Sequence, residues 1–105
     1  MANDWHILAS PDEIPSPALL VYPERIEENI HRMVTALGQE ERLRTHVKTH
    51  KMAEVVKMQT KVGISKFKCA TIAEAEMLGQ AGARDVLLAN QPVGPNIGRL
   101  LGLAG

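Results

Sequence analysis

The sequence predicts an α/β protein in which parallel strands alternate with helices in the order βαβαβαβα. Two observations predict this class. Short apolar or β-branched runs alternate with stretches whose apolar residues recur at helical spacing, and glycines follow most of those stretches. Alternation of this kind is typical of parallel strands joined by right-handed crossovers. We therefore predict a single partial domain over 1–105, with an irregular lead-in over 1–16 and the alternating pattern over 17–105.

The first βα unit begins with the apolar run 17–22, for which we predict a strand. Pro23 suits the first turn of a helix, because a backbone N–H at that position would have no partner in the helix. Apolar residues then recur at helical spacing from Ile26 to Leu37, and Gly38 follows as the expected left-handed terminator. These residues predict a strand followed by an amphipathic helix.

Two further units follow the same plan. Residues 43–50 alternate β-branched and basic side chains, which predicts a second strand, and a helix ending at Gly63 follows it. Residues 66–70 predict a third strand. The next helix opens with a capping box, since the hydroxyl of Thr71 and the carboxylate of Glu74 can each satisfy a backbone N–H of the first turn.

The last unit consists of a nearly continuous apolar run and a helix. Residues 85–90 predict a strand buried on both faces, 91–94 form a loop, and Pro95 opens the final helix. A complete (β/α)₈ barrel needs about 250 residues, so the chain is too short to form one by itself. We expect it to be a portion of a larger structure.

Composition excludes several classes of function. The net charge is +0, whereas a dedicated nucleic-acid binder is usually basic, so we expect neither nucleic-acid nor membrane partners. The chain has 1 cysteine, which excludes an internal disulfide framework and is typical of the reducing cytoplasm. We find no secretory leader and no apolar run long enough to span a membrane. These features predict a cytoplasmic protein.

The second predicted strand carries an unusual set of basic side chains on one face, without an acidic residue among them. They are Arg44, His46, Lys48 and His50, followed by Lys51. One interpretation is an exposed edge strand that uses cations to prevent aggregation. A second is that Lys48 is a nucleophile for carbonyls, because the surrounding cations disfavour its ammonium form and attract an anionic aldehyde. A third is a metal pair formed by His46 and His50, although β-branched neighbours disfavour the helix this requires.

Four segments together resemble, in order and spacing, the N-terminal part of D-threonine aldolases and eukaryotic-type D-serine dehydratases. They are 16–21, 44–51, 70–76 and 86–90, and the block His-Val-Lys-Thr-His-Lys over 46–51 is the most specific. Both groups are fold-type III pyridoxal-phosphate enzymes related to the N-terminal domain of alanine racemase. Thr45 stands where the family often has proline, which a strand tolerates.

This resemblance implies the fold and the site. The chain would be the N-terminal part of a pyridoxal-phosphate-binding (β/α)₈ TIM barrel that is incomplete in this chain. Lys48 matches the catalytic lysine that binds the cofactor as a Schiff base. His46 would either lie beside or beneath the cofactor or pack within a layer of the barrel. Arg44 would be a structural neighbour, His50 has no assigned role, and no metal ligand is assigned. A divalent metal would be held in the full-length protein by ligands absent here.

The resemblance also implies the activity, a pyridoxal 5'-phosphate-dependent lyase acting on D-3-hydroxy-amino acids. Retro-aldol cleavage of D-threonine is the first expectation, and D-serine dehydration or amino-acid racemisation is the alternative. A different class is a non-catalytic cofactor-binding or structural half-barrel fragment. We expect a small D-amino acid as substrate, a homodimer as an assembly, and no turnover by these 105 residues alone.

The remaining polar residues predict scaffold roles. We expect Thr71 and Glu74 to cap a helix rather than to take part in chemistry. We expect Cys69 to be a small buried residue without an adjacent base. Asn90 follows a strand, where it is either a turn former or a site residue, and the sequence leaves that choice open.

Overall fold

A three-stranded parallel sheet is the centre of the computed structural model, which describes residues 4–105. The strands are β1 (Arg44–His46), β2 (Lys66–Cys69) and β3 (Asp85–Leu88), and they lie side by side in that order. The helices are α1 (Pro23–Leu37), α2 (Ala53–Lys61), α3 (Ile72–Gln80) and α4 (Pro95–Ala104), with 3₁₀ turns at Pro11–Glu13 and Glu40–Arg42. The predicted α/β class with parallel strands is confirmed. The first three residues of the predicted lead-in lie outside the described residues.

The hydrophobic core lies between the sheet and one layer of helices. Phe67 of β2 and Leu78 of α3 are completely buried in it, as is Val47 immediately after β1. Thr45 faces the same layer, because its hydroxyl donates to Oε1 of the buried Gln59 at 3.0 Å. The predicted alternation of β-branched and basic residues is therefore correct within β1, since its β-branched residue faces the helices.

The opposite face of the sheet carries mostly charged residues. The parallel register places Arg44 beside Lys66 and Lys66 beside Asp85, and it places His46 beside Lys68. Residues in register on parallel strands point to the same side of the sheet. One face is therefore apolar and covered by helices, and the other is polar and at least partly open.

Helix α1 begins and ends where the sequence predicts. Pro23 is its first residue, and Gly38 follows it with a left-handed φ of 75°. The Gly38 N–H donates to the carbonyl of Val34 at 2.9 Å, which satisfies one of the last free carbonyls of the helix. No helix in the described part of the chain is both long and apolar enough to cross a membrane.

The strand predicted over 17–22 is wrong. These residues form an extended segment without strand pairing that leads into α1, and Leu19 and Leu20 are 73% and 42% exposed. An apolar run indicates a tendency to be buried, but a strand also needs a backbone partner. In the described sheet, β1 pairs only with β2, so this segment has none.

The second strand is shorter than predicted. It ends at His46, because the carbonyl of Val47 accepts the N–H groups of His50 at 3.3 Å and Lys51 at 2.7 Å and so closes a turn. The run 85–90 is also not buried on both faces as predicted: Leu87 is 47% exposed. Helices cover only one side of β3 in the part of the chain that is described.

Candidate functional site

Three loops meet at the carboxyl edge of the sheet, because all three strands run in the same direction. The Val47 N–H donates to the carbonyl of Lys68 at 2.9 Å, and the Ala89 N–H donates to that of Cys69 at 2.8 Å. Nδ2 of Asn90 donates to the carbonyl of Ala70 at 2.9 Å. Asn90 therefore ties the end of β3 to the end of β2. Ligand sites of parallel α/β folds lie at this edge.

Lys48 lies at this edge, in the turn that follows β1 and two positions after its last residue. We name residues 47–51 the Lys48 turn. The side chain of Lys48 is exposed, and its backbone N–H donates to Nδ1 of the half-buried His46 at 3.2 Å. The backbone of Lys48 thus orients the ring of His46, the other residue that the sequence proposes as cofactor-binding.

A second imidazole repeats this arrangement at the other end of the turn. Nδ1 of His50 accepts the backbone N–H of Met52 at 2.9 Å. Burial lowers the pKa of His50, and the negative charge of Glu74 opposes that effect in part. Because Nδ1 accepts a hydrogen bond in both rings, each neutral imidazole carries its proton on Nε2.

Lys51 has the one left-handed backbone among the non-glycine residues that the structure describes. Its φ is 54°, which places its backbone in a region that residues other than glycine and asparagine seldom adopt. The Lys51 N–H makes the 2.7 Å hydrogen bond that closes the Lys48 turn. Backbone strain of this kind persists only where the surroundings hold it in place.

Glu74 is a buried carboxylate at the same edge, with only 4% of its surface exposed. Oε1 accepts the N–H of Ala70 at 3.1 Å, Oε2 accepts the hydroxyl of Thr71 at 2.9 Å, and the Glu74 N–H donates to that hydroxyl oxygen at 3.1 Å. The predicted cap by Thr71 is confirmed, whereas the Glu74 carboxylate satisfies the N–H of Ala70, one residue before the cap, instead of a first-turn N–H. Burial raises the pKa of Glu74, but these hydrogen bonds and the positive charges of Lys51 and His46 hold it below its usual 4.5.

Sequence reasoning missed that Glu74 lies at the same edge of the sheet as the basic turn. The sequence shows no acidic residue within 44–51, and Glu74 is far from that segment along the chain. The signal that could have found it is topological. In parallel sheets the loops after neighbouring strands share one edge, so a carboxylate at the start of α3 must lie near the loop after β1.

Arg44 is engaged away from the Lys48 turn. Its guanidinium contacts the carboxylate of Asp85 at 2.8 Å and donates to the carbonyl of Phe67 at 3.0 Å. The hydrogen bond from Arg44 holds the pKa of Asp85 below its usual value, and the same bond raises the pKa of Arg44. Arg44 thus links the three strands, which is a structural role. Asp85 is the acidic partner of this basic face, which the sequence of 44–51 does not contain.

The other candidates have local roles. Cys69 is completely buried, and burial, followed by the charge of Glu74, raises the pKa of its thiol, so it is not an activated nucleophile. Within residues 4–105 no group of three His, Cys, Asp or Glu side chains is placed to hold a metal ion. The edge therefore carries an exposed lysine in a turn that two half-buried histidines adjoin, and a buried carboxylate at the start of α3.

Such an edge defines a class: a parallel α/β protein that presents a lysine amine where this fold binds its ligands. The chain belongs to the family of the alanine racemase N-terminal domain, whose model matches residues 21–99. The relatives it resembles are fold-type III pyridoxal-phosphate enzymes, as the resemblance predicts. No solved structure gives a significant match to the chain.

Three relatives illustrate the similarity. The chain is 38% identical over 77 residues to a D-threo-3-hydroxyaspartate dehydratase from Delftia sp. (strain HT23), covering 72% of this chain and 20% of that protein. It is 36% identical over 81 residues to a 3-hydroxy-D-aspartate aldolase from Paracoccus denitrificans, covering 75% and 21%. It is 30% identical over 90 residues to a D-threonine aldolase from Arthrobacter sp., covering 85% and 24%. The chain thus spans about a fifth of the length of the first relatives.

Proposed function

We propose that this chain forms the lysine-bearing part of a pyridoxal-phosphate-dependent lyase that acts on D-3-hydroxy-amino acids. The observation that carries the proposal is the position of Lys48, an exposed residue two positions after the end of β1 at the carboxyl edge of the sheet. The names of the relatives support the substrate class, because each acts on a 3-hydroxylated amino acid of the D series.

The residues present fit the cofactor. Pyridoxal phosphate needs a primary amine for its aldehyde and positive charge for its phosphate. Lys48 offers the amine, and Lys51 and Lys68 contribute cations on the same edge and on the neighbouring strand. When bound, the cofactor supplies an electron sink for the electron pair released at the α-carbon of the substrate.

Each residue would have a defined task. Lys48 would hold the cofactor through its Nζ, and the amine of Lys48, when free, would accept or return a proton. Nδ1 of His46 is occupied by the Lys48 N–H, so the ring is held in place and offers Nε2–H as a donor beside the cofactor. Lys48 would therefore bind the cofactor, and the fixed ring of His46 would help to orient it.

Retro-aldol cleavage is the reaction we propose first, because the Paracoccus and Arthrobacter relatives are aldolases. The Delftia dehydratase favours dehydration as the second candidate. Cleavage releases an electron pair at the α-carbon, and dehydration uses one formed there. Both reactions therefore need the cofactor, and with it the lysine that would hold the cofactor. The products separate them, since cleavage yields glycine and dehydration yields ammonia.

Cofactor binding by the chain tests the proposal without requiring turnover. We expect titration with pyridoxal phosphate to produce the visible absorbance band of a lysine-bound cofactor. Lys48→Ala should abolish the band, whereas Lys57→Ala, which removes an exposed lysine from α2, should leave it unchanged. A band of equal strength in Lys48→Ala would contradict the proposal.

A further inference from the structure

We propose that residues 4–7 form a strap that controls access to a cavity beside the Lys48 turn, and we name them the N-terminal strap. The cavity has a volume of about 730 Å³, and its lining comes from the extended segment 19–22, from α1 and from the start of α2. Trp5 of the strap and His50 of the Lys48 turn both line it. The inference goes beyond the proposed function, because it does not depend on what Lys48 binds.

Three contacts hold the N-terminal strap on the start of α1. The ring of Trp5 lies edge-on to that of Tyr22, with the centroids 4.9 Å apart, and the guanidinium carbon of Arg25 lies 3.5 Å from the Trp5 ring centroid. The hydroxyl of Tyr22 donates to the carbonyl of His6 at 3.0 Å. Edge-to-face pairing of aromatic rings and stacking of a guanidinium on an indole are both attractive. We name these three contacts the Trp5 latch.

The N-terminal segment has little other attachment. In the part of the chain that the structure describes, the bond from Tyr22 to His6 is the only hydrogen bond that joins residues 4–16 to the rest. The other hydrogen bonds of this segment close local turns within 4–7 and 10–14. All residues from 4 to 16 except Leu8 are exposed. A segment with so few buried contacts detaches more readily than a packed helix or strand.

Two opposing effects govern the position of the N-terminal strap. Attachment removes part of the apolar surface of Trp5 and of the cavity wall from water, which is favourable. Detachment restores conformational freedom to the backbone, which is favourable too. Trp5 remains 47% exposed when it is attached, so the first effect is only partly realised. We therefore expect the attached and detached states to interconvert in the folded chain.

Detachment would change the surroundings of the Lys48 turn at His50. Nδ1 of His50 accepts the N–H of Met52, and Met52 also lines the cavity. The end of the turn and the first residues of α2 therefore form part of the same cavity wall. Attached, Trp5 occupies part of the opening of the cavity. Detached, it leaves more room for solvent and small molecules to reach His50.

Fluorescence measures the strap, because Trp5 is the one tryptophan of the sequence. The test compares Tyr22→Phe and Arg25→Gln with Arg42→Gln, which changes an exposed arginine outside the latch. Tyr22→Phe keeps the aromatic ring and removes only the hydrogen bond to His6. We expect acrylamide to quench Trp5 up to about twofold more strongly in both latch variants, since about half of the residue is already exposed when attached. Quenching in Arg42→Gln should equal that of the wild type.

The second readout is the rate at which diethyl pyrocarbonate modifies His50, measured against the exposed His31 of the same molecule. We expect His50 to react faster relative to His31 in both latch variants and not in Arg42→Gln. Unchanged quenching of Trp5 in Tyr22→Phe would overturn the inference, because contacts that act separately predict that result. Stronger quenching without faster modification of His50 would also overturn it, since the strap would then not control the cavity. Neither readout uses the cofactor, so failure of this inference is distinguishable from failure of the proposed function.

Discussion

Side chains around Lys48 are held mainly by hydrogen bonds to backbone groups. The two imidazoles each accept an N–H from the residue two positions later, and Glu74 accepts one from Ala70. Such local bonds fix the rings without covering them, so the edge remains accessible to a ligand. The basic motif itself is visible in the sequence, but the bonds that order it depend on the turn after Val47.

Acid should destabilise the chain through Glu74. Its pKa in the folded state lies below the usual 4.5, so its stabilising contribution is present above that value and is lost as the pH falls through the lower, folded-state pKa. We therefore expect the free energy of unfolding to fall less steeply below pH 4.5 in Glu74→Gln than in the wild type. Urea unfolding at a series of pH values measures this slope.

Asp85 and His50 also have lowered pKa values and contribute to acid sensitivity with the same sign. Both residues remain in Glu74→Gln, so the difference between the two proteins isolates Glu74. Glu76→Gln is the matched control. Identical slopes in the wild type and in Glu74→Gln would show that the Glu74 charge contributes nothing to folding.

At the scale of elements, the ends of the helices carry the most definite sequence signals. Pro23 and Gly38 delimit α1, and Thr71 opens α3 through its capping hydroxyl. These signals are local: each one satisfies backbone groups within a single turn, so no knowledge of the tertiary structure is needed to recognise them. The helices were accordingly predictable almost to the residue.

The cap of α3 should be measurable by itself. We expect Thr71→Ala to reduce the free energy of unfolding by about 1 kcal/mol, because it removes the acceptor for the Glu74 N–H. Thr71→Ser should keep most of the stability. Thr35→Ala, at an exposed position within α1, is the control and should cost little, and chemical denaturation compares all three. A Thr71→Ala variant as stable as the control would contradict the capping role.

Two glycines should respond to the same substitution with opposite signs. Gly63 has a φ of 102°, and an added Cβ would lie 3.2 Å from Cγ of Glu40, so Gly63→Ala should destabilise the fold by more than about 1 kcal/mol. Gly79 lies within α3 with open space around it, so Gly79→Ala should stabilise the fold by about 0.5–1 kcal/mol. Thermal unfolding of both variants checks the pair, and changes of equal sign would contradict the structure.

At the scale of the whole molecule, the described chain is a flat, two-layered body. Its principal extents are 52 × 38 × 19 Å and its radius of gyration is 16.5 Å, whereas a compact domain of about 100 residues has a radius near ~13 Å. The helices cover one face of the sheet, and Asp85 and Leu87 remain exposed on the other. This is the arrangement expected of a portion of a barrel wall, in which the uncovered face would line the interior.

The errors of prediction arise from interactions between segments. The run 17–22 has the apolar character of a strand, but pairing depends on a neighbouring backbone that local composition does not specify. The run 85–90 is predicted to be buried on both faces, because its composition suits a closed barrel better than a sheet with one open face. Likewise the sequence predicts only a cap at Glu74, since its placement at the same edge of the sheet as the Lys48 turn depends on the order of strands.

The central claim is that Lys48 is the amine that binds the cofactor, and chemical trapping tests it most directly. The chain is incubated with pyridoxal phosphate, reduced with borohydride and digested, and the label is mapped on each lysine. The account predicts that Lys48 carries the label in clear preference to Lys51 and Lys57, which are also exposed. Label distributed evenly over the exposed lysines, or absent from Lys48, would contradict it.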